Sequence, residues 1–81
     1  MLNIKELYEL VTVAIEPERP IDEKSSIENT PEWDSLGHLS ILSSLDERTS
    51  GAASDLDAIA EADSIEKLVK VLSSSSLLSE D

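Results

Sequence analysis

Residues 33–45 read Trp33-Asp34-Ser35-Leu36-Gly37-His38-Leu39-Ser40-Ile41-Leu42-Ser43-Ser44-Leu45. Asp34 is a strong candidate helix N-cap, because its carboxylate can accept from first-turn amides that have no intrahelical partner. Leu36, Leu39, Leu42 and Leu45 recur three apart, and Ile41 widens the stripe. That spacing predicts a helix from Asp34 to about Arg48 with Leu39, Leu42 and Leu45 in the core and Leu36, one residue after Ser35, partly exposed. Gly51, just beyond, is a natural stop signal.

On the N-terminal side, Ile4, Leu7, Leu10, Val11, Ala14 and Ile15 recur at three- and four-residue spacing. They predict a first helix over 3–15. Asn3 can cap it, and Glu6 three residues on completes a capping-box pattern. Pro17 ends it. Residues 16–33 hold all three prolines and little periodicity, so they predict a long connection, with Ile21 and Ile27 as anchors pinning it over the core. On the C-terminal side, 49–54 reads as a small polar linker. Ser54 or Asp55 can cap a short helix carrying Leu56, Ile59 and Ala60. Asp63 is expected to cap a last helix, with Glu66 in its first turn and Ile65, Leu68, Val69 and Leu72 as its apolar stripe. The expected layout is one domain over 1–73 and a flexible Ser-rich acidic tail over 74–81. No segment alternates with the period of a strand. The fold class expected is all-α, a small four-helix bundle of three main helices and a short third one.

Composition narrows the functions. Leu, Ile and Val supply 23 of 81 residues and there is no Phe, enough for one small core and for little beyond it. The apolar stripes are all used in that core, so a monomer is expected. The net charge is −12. Such a surface repels phosphate backbones and anionic lipid, so neither nucleic acid nor membrane is expected as a partner, and proteins with basic patches are. There is no cysteine, hence no disulfide frame and no thiolate metal site. The N-terminus shows no basic stretch followed by an apolar run, which fits a cytoplasmic protein.

Candidate chemistry is sparse. Fourteen serines are present, but His38 is the only histidine and the only ordinary base for a nucleophile. A Ser35–His38 pair three apart with no oxyanion hole does not make a hydrolase, so no catalytic residue and no enzyme is expected. His38 reads as a partly exposed helix residue. Asp55, Asp57, Glu61 and Asp63 lack the glycine and terminal glutamate of a calcium loop and read as a solvated face, so no metal site is expected. Ser35 stands apart. A serine in the first turn of a helix puts its hydroxyl beside unsatisfied amides and the positive end of the dipole, a setting that favours phosphate.

With its context, Trp33-Asp34-Ser35-Leu36-Gly37-His38-Leu39 resembles the Asp-Ser-Leu modification motif of acyl carrier proteins. The resemblance covers roughly residues 3–72: helix, long loop, Asp-Ser-Leu at the start of a second helix, short third helix, fourth helix. It looks most similar to discrete bacterial carriers of specialised pathways. The resemblance implies that Ser35 carries 4′-phosphopantetheine, attached from coenzyme A by a phosphopantetheinyl transferase. Asp34 and Leu36 would be recognised by that transferase, Leu36 as a partly exposed apolar knob. The arm would carry acyl or aminoacyl groups as thioesters between a loading ligase or synthase and acyl-accepting enzymes with basic docking patches. The chain departs from the family where several acidic residues are usual: Gly37, His38, Ser40, Ser43 and Ser44 stand there, and acid returns only at Asp46 and Glu47. Gly37 in the first turns reads as a weak point costing about 1 kcal/mol against alanine. Trp33 is open to two readings, a packing anchor or a contact at the mouth of the site. The alternative function is a carrier-like helical interaction module whose Ser35 is never modified.

Overall fold

The computed structural model describes residues 2–53 and 56–79. They form three α-helices, α1 (Ile4–Ile15), α2 (Ser35–Arg48) and α3 (Ile65–Ser74), with a 3₁₀ helix, Asp57–Glu61, between α2 and α3. Only two isolated β-bridges and no strand occur among the described residues, so the class is all-α. Among these residues no helix is long and apolar enough to cross a membrane.

α1 starts as its sequence directs. The Asn3 side chain accepts from the Glu6 amide at 2.8 Å and the Glu6 side chain accepts from the Asn3 amide at 3.2 Å, so the capping box closes. Leu7, Leu10, Val11 and Ile15 are buried, and Ile4 and Ala14 pack at the margin. Glu16 turns left-handed at the C-cap, where its amide still reaches Thr12 O at 2.8 Å, and Pro17 follows.

α2 begins at Asp34, whose carboxylate accepts from the Gly37 amide at 2.8 Å. Its buried face differs from the expected leucine stripe. Gly37, Ile41 and Leu45 are buried; Leu39 is 61% exposed and Leu42 half-buried, while Leu36 is exposed as expected, at 76%. The reason is helical phase. Each step of three turns the helix by only about 300°, so four leucines three apart spread around about half its circumference. The i, i+4 series keeps nearly constant azimuth and wins the core. Two contacts set α2 antiparallel to α1. Arg48, at its end, pairs with Glu6 at 2.7 Å, while Gly37, at its start, lies against Ile15.

The short helix after the linker is 3₁₀ rather than α. It has five residues and no side-chain cap, too little to carry an α-helical ladder. Ile59 and Ala62 are buried; Ala60 is exposed. Ser54 and Asp55, the expected caps, lie outside the described residues. α3 is capped one residue later than expected. The Ser64 hydroxyl accepts from the Lys67 amide at 3.1 Å, which leaves the Asp63 carboxylate to the Lys67 ammonium at 2.9 Å. Ile65, Leu68 and Leu72 are buried and Val69 is half-buried.

The chain after α3, expected as a free tail from 74, turns back at Ser76 and pairs with the N-terminus. The Leu2 amide reaches Leu77 O at 3.3 Å and the Ser79 amide reaches Leu2 O at 2.7 Å. Leu78 is buried beside Leu2. Two leucines at the end of a low-complexity run have apolar surface to hide; Leu78 joins the core and Leu77 packs against it half-buried. Glu80 and Asp81 lie outside the described residues.

Candidate functional site

The connection between α1 and α2 is a sequence of side-chain-locked turns. Asp22 accepts from the Lys24 amide at 2.8 Å and Asn29 accepts from the Ser26 amide at 2.9 Å. Asn29 also donates to Lys24 O at 2.8 Å. Such Asx bonds stand in for the missing secondary structure. The loop is fastened to the start of α3 by the Ile27 amide on Asp63 O and the Ile65 amide on Ser25 O, both 2.9 Å. Ile21 is buried and anchors as expected. Ile27 is 38% exposed, so it holds the loop through its backbone and not its side chain.

This loop delivers Trp33-Asp34-Ser35 to the start of α2. Ser35 is the first residue of the helix and is exposed. Asp34, also exposed, satisfies two first-turn amides: its carboxylate takes Gly37 N–H, and its carbonyl takes His38 N–H at 2.8 Å. Helix geometry leaves the amides of Ser35 and Leu36 without an intrahelical acceptor. The Ser35 hydroxyl therefore stands at the positive end of α2, beside a carboxylate already committed to its own cap. Leu36, Leu39, Ser40, Ser43 and Glu47 form the exposed face that continues from it.

Three residues hold this arrangement from beneath. Trp33 is 1% exposed, which settles its two readings in favour of packing. Its indole N–H donates to His38 Nδ1 at 3.1 Å. The ring planes lie within 23° with centroids 6.3 Å apart. The second ring nitrogen of His38, Nε2, lies 2.8 Å from Ala60 O in the 3₁₀ helix. Indole N–H can only donate and a carbonyl can only accept, so Nδ1 is bare and Nε2 carries the proton. His38 is thus a bridge, not merely a half-exposed helix residue, and neither of its nitrogens is free to serve Ser35 as a base. Gly37 is the third. A Cβ there would lie 2.6 Å from the backbone oxygen of Glu32 and 3.0 Å from Ile15. The glycine expected to loosen the helix start is what lets the loop cross it at contact distance.

The structure places Asp34, Ser35 and Leu36 together at the exposed start of α2; sequence reasoning missed the close packing of Gly37 and the two hydrogen bonds of His38. A signal existed for one of them: the only tryptophan and the only histidine stand five apart across a helix cap. Of the acidic run after the linker, Asp55 lies outside the described residues. Asp63 is ion-paired with Lys67, whose hydrogen bond holds its carboxyl below the ordinary value. Glu61 is exposed. Two open grooves flank the proline-bearing loop, one between residues 18–25 and 29–32 and one between α1 and residues 17–21, and Ser35 lines neither. Comparison with protein-family models, with curated proteins and with solved structures finds no match for this chain.

Proposed function

We propose that the chain is a carrier protein whose Ser35 receives 4′-phosphopantetheine from coenzyme A. The observation that carries this reading is the exposed Ser35 hydroxyl at the first position of α2, with Asp34 capping beneath it and Leu36 exposed beside it. The residues present suit the group. A phosphodiester on Ser35 Oγ would lie beside the unpaired first-turn amides and the positive end of the helix, and no buried side chain has to move to admit it. Ser35 Oγ would form a bond to phosphorus of the coenzyme A pyrophosphate, with adenosine 3′,5′-bisphosphate leaving; the magnesium and the base for the serine proton belong to the transferase. The arm would bring the thiol that a cysteine-free chain lacks, so that cargo is held as a thioester.

In this reading the three helices and the 3₁₀ turn are a four-helix bundle of the carrier type. Asp34 and Leu36 are the residues recognised by the phosphopantetheinyl transferase. Loading and accepting enzymes meet the exposed face of α2, with basic patches facing Asp46 and Glu47. The carrier works as a monomer in the cytoplasm, in a specialised biosynthetic pathway.

The test is intact mass spectrometry after incubation with coenzyme A and a promiscuous transferase, followed by peptide mapping. One added arm on the Ser35 peptide is expected. Ser35→Ala is expected to add none while its circular dichroism is unchanged, since Ser35 belongs to no buried stripe. A folded sample that takes up no arm from either a promiscuous or its cognate transferase overturns the reading in favour of an interaction module presenting Leu36 and Leu39.

A further inference from the structure

We propose that His38 is a proton-operated latch that ties the loop ahead of Ser35 to the 3₁₀ helix. The latch is the chain of contacts Trp33 Nε1–H to His38 Nδ1, 3.1 Å, and His38 Nε2–H to Ala60 O, 2.8 Å. It joins three parts of the fold: the last turn of the loop, the first turn of α2, and a 3₁₀ helix without a side-chain cap of its own. Both bonds exist together only for the neutral ring protonated on Nε2. Charged imidazolium has two N–H donors and no acceptor. A proton on Nδ1 would face the indole N–H with nothing between them to accept either. The buried Trp33 then keeps an unpaired N–H, or the ring turns away and Ala60 O loses its donor as well.

Histidine is the side chain whose charge ordinarily changes between pH 5 and 8; the latch is closed while the ring is neutral and opens when it takes a second proton. The charged groups around the ring allow this. Asp63, between the 3₁₀ helix and α3, interacts electrostatically with His38 and is itself paired with Lys67 of α3 at 2.9 Å. Glu61 follows Ala60 in the 3₁₀ helix, and Asp34 caps α2 one turn before His38. The carboxylates outnumber the single ammonium, so the surroundings do not forbid a positive ring. Opening would free the turn at 30–33 from the 3₁₀ helix while Asp34 keeps the cap. The effect is therefore a loosening next to Ser35 and not unfolding of α2.

The chain has one tryptophan and one histidine, so both can be followed by NMR without ambiguity. The full chain, labelled with ¹⁵N, is titrated from pH 8 to pH 5.5. At pH 8 the His38 ring is expected in the Nε2–H form. As pH falls, the Trp33 indole N–H should shift with the same midpoint as the His38 ring, and its hydrogen exchange, corrected for the intrinsic pH dependence, should speed up by about fivefold, the worth of one ordinary hydrogen bond. In His38→Gln, whose amide can accept and donate without titrating, the indole signal should stay still over the same range. A ring found protonated on Nδ1 at pH 8 overturns the latch. So does an indole signal that ignores the His38 titration, or one that titrates equally in His38→Gln. If His38→Gln fails to fold, the ring tautomer and the shared midpoint in the wild-type chain still decide. The outcome does not depend on whether Ser35 is modified.

Discussion

α1 and α2 lie antiparallel and start with the same device, a side-chain oxygen closing on an amide three residues on. They meet solvent differently. α1 buries Leu7, Leu10, Val11 and Ile15, the residues its mixed three- and four-residue spacing points to. α2 buries Gly37, Ile41 and Leu45 and leaves two leucines, Leu36 and Leu39, in water beside Ser35. The comparison teaches that phase and not apolar count selects the buried face. A three-then-four rhythm stays on one side of a helix, whereas a run of threes walks around it. The two exposed leucines of α2 lie on the face that continues from the candidate site, whereas the exposed apolar residue of α1 is Val13.

The sharpest way to break this contrast is inside α2 itself. Ile41→Ala should cost about 2–5 kcal/mol, since it empties a fully buried site, while Leu39→Ala two residues away should stay within about 0.5 kcal/mol. Denaturant melts of the two variants measure it, and equal losses would refute the assigned faces. Next in size is Gly37→Ala. Helix propensity alone promises a gain of about 1 kcal/mol. The 2.6 Å approach to a backbone oxygen that has little room to yield predicts a loss of about 1–3 kcal/mol instead. A stabilised Gly37→Ala would mean that the loop does not cross α2 as described.

The caps sharpen the likeness between the two helices. Asn3→Ala and Asp34→Ala should each cost about 1 kcal/mol, but only Asp34→Ala should also slow arm transfer to Ser35; calorimetry with a labelling time course separates the two effects. The smallest effect is at the far end of the pair. Glu6 is held below its ordinary value of 4.5 by the Asn3 amide first and by Arg48 after it. A lowered folded value means that the unfolded chain binds the proton more readily. This contribution is therefore complete well above pH 4.5 and is lost as pH falls through 4.5 and below. Arg48→Ala should flatten that loss slightly, and high salt should mask the difference, because the pair is exposed. Thermal melts between pH 7 and pH 3.5 read it.

Much of the fold follows from local chemistry. Asn3 with Glu6, Asp34, Pro17 and the stripes of α1 and α3 act over three or four residues, and the structure keeps them. Ser64 and not Asp63 caps α3, and the Asp63 carboxylate pairs with Lys67, a choice between adjacent groups that spacing cannot rank. The candidate site divides the same way. Ser35 is exposed because the first position of a capped helix outside the apolar stripe faces outward. Gly37 and His38 had no such local meaning. One is defined by Glu32 and Ile15 crossing over it, the other by a carbonyl twenty-two residues on.

By itself, then, the amino-acid sequence determined where α1 and α2 start and stop and that Ser35 opens one of them, because capping and periodicity are short-range effects. Only the tertiary structure decided which leucines of α2 are buried, that Leu78 closes the core against Leu2, and that the Trp33–His38 pair ties the loop to Ala60. Those outcomes depend on distant segments arriving at the same place, and burial and hydrogen-bond satisfaction are settled only when they do.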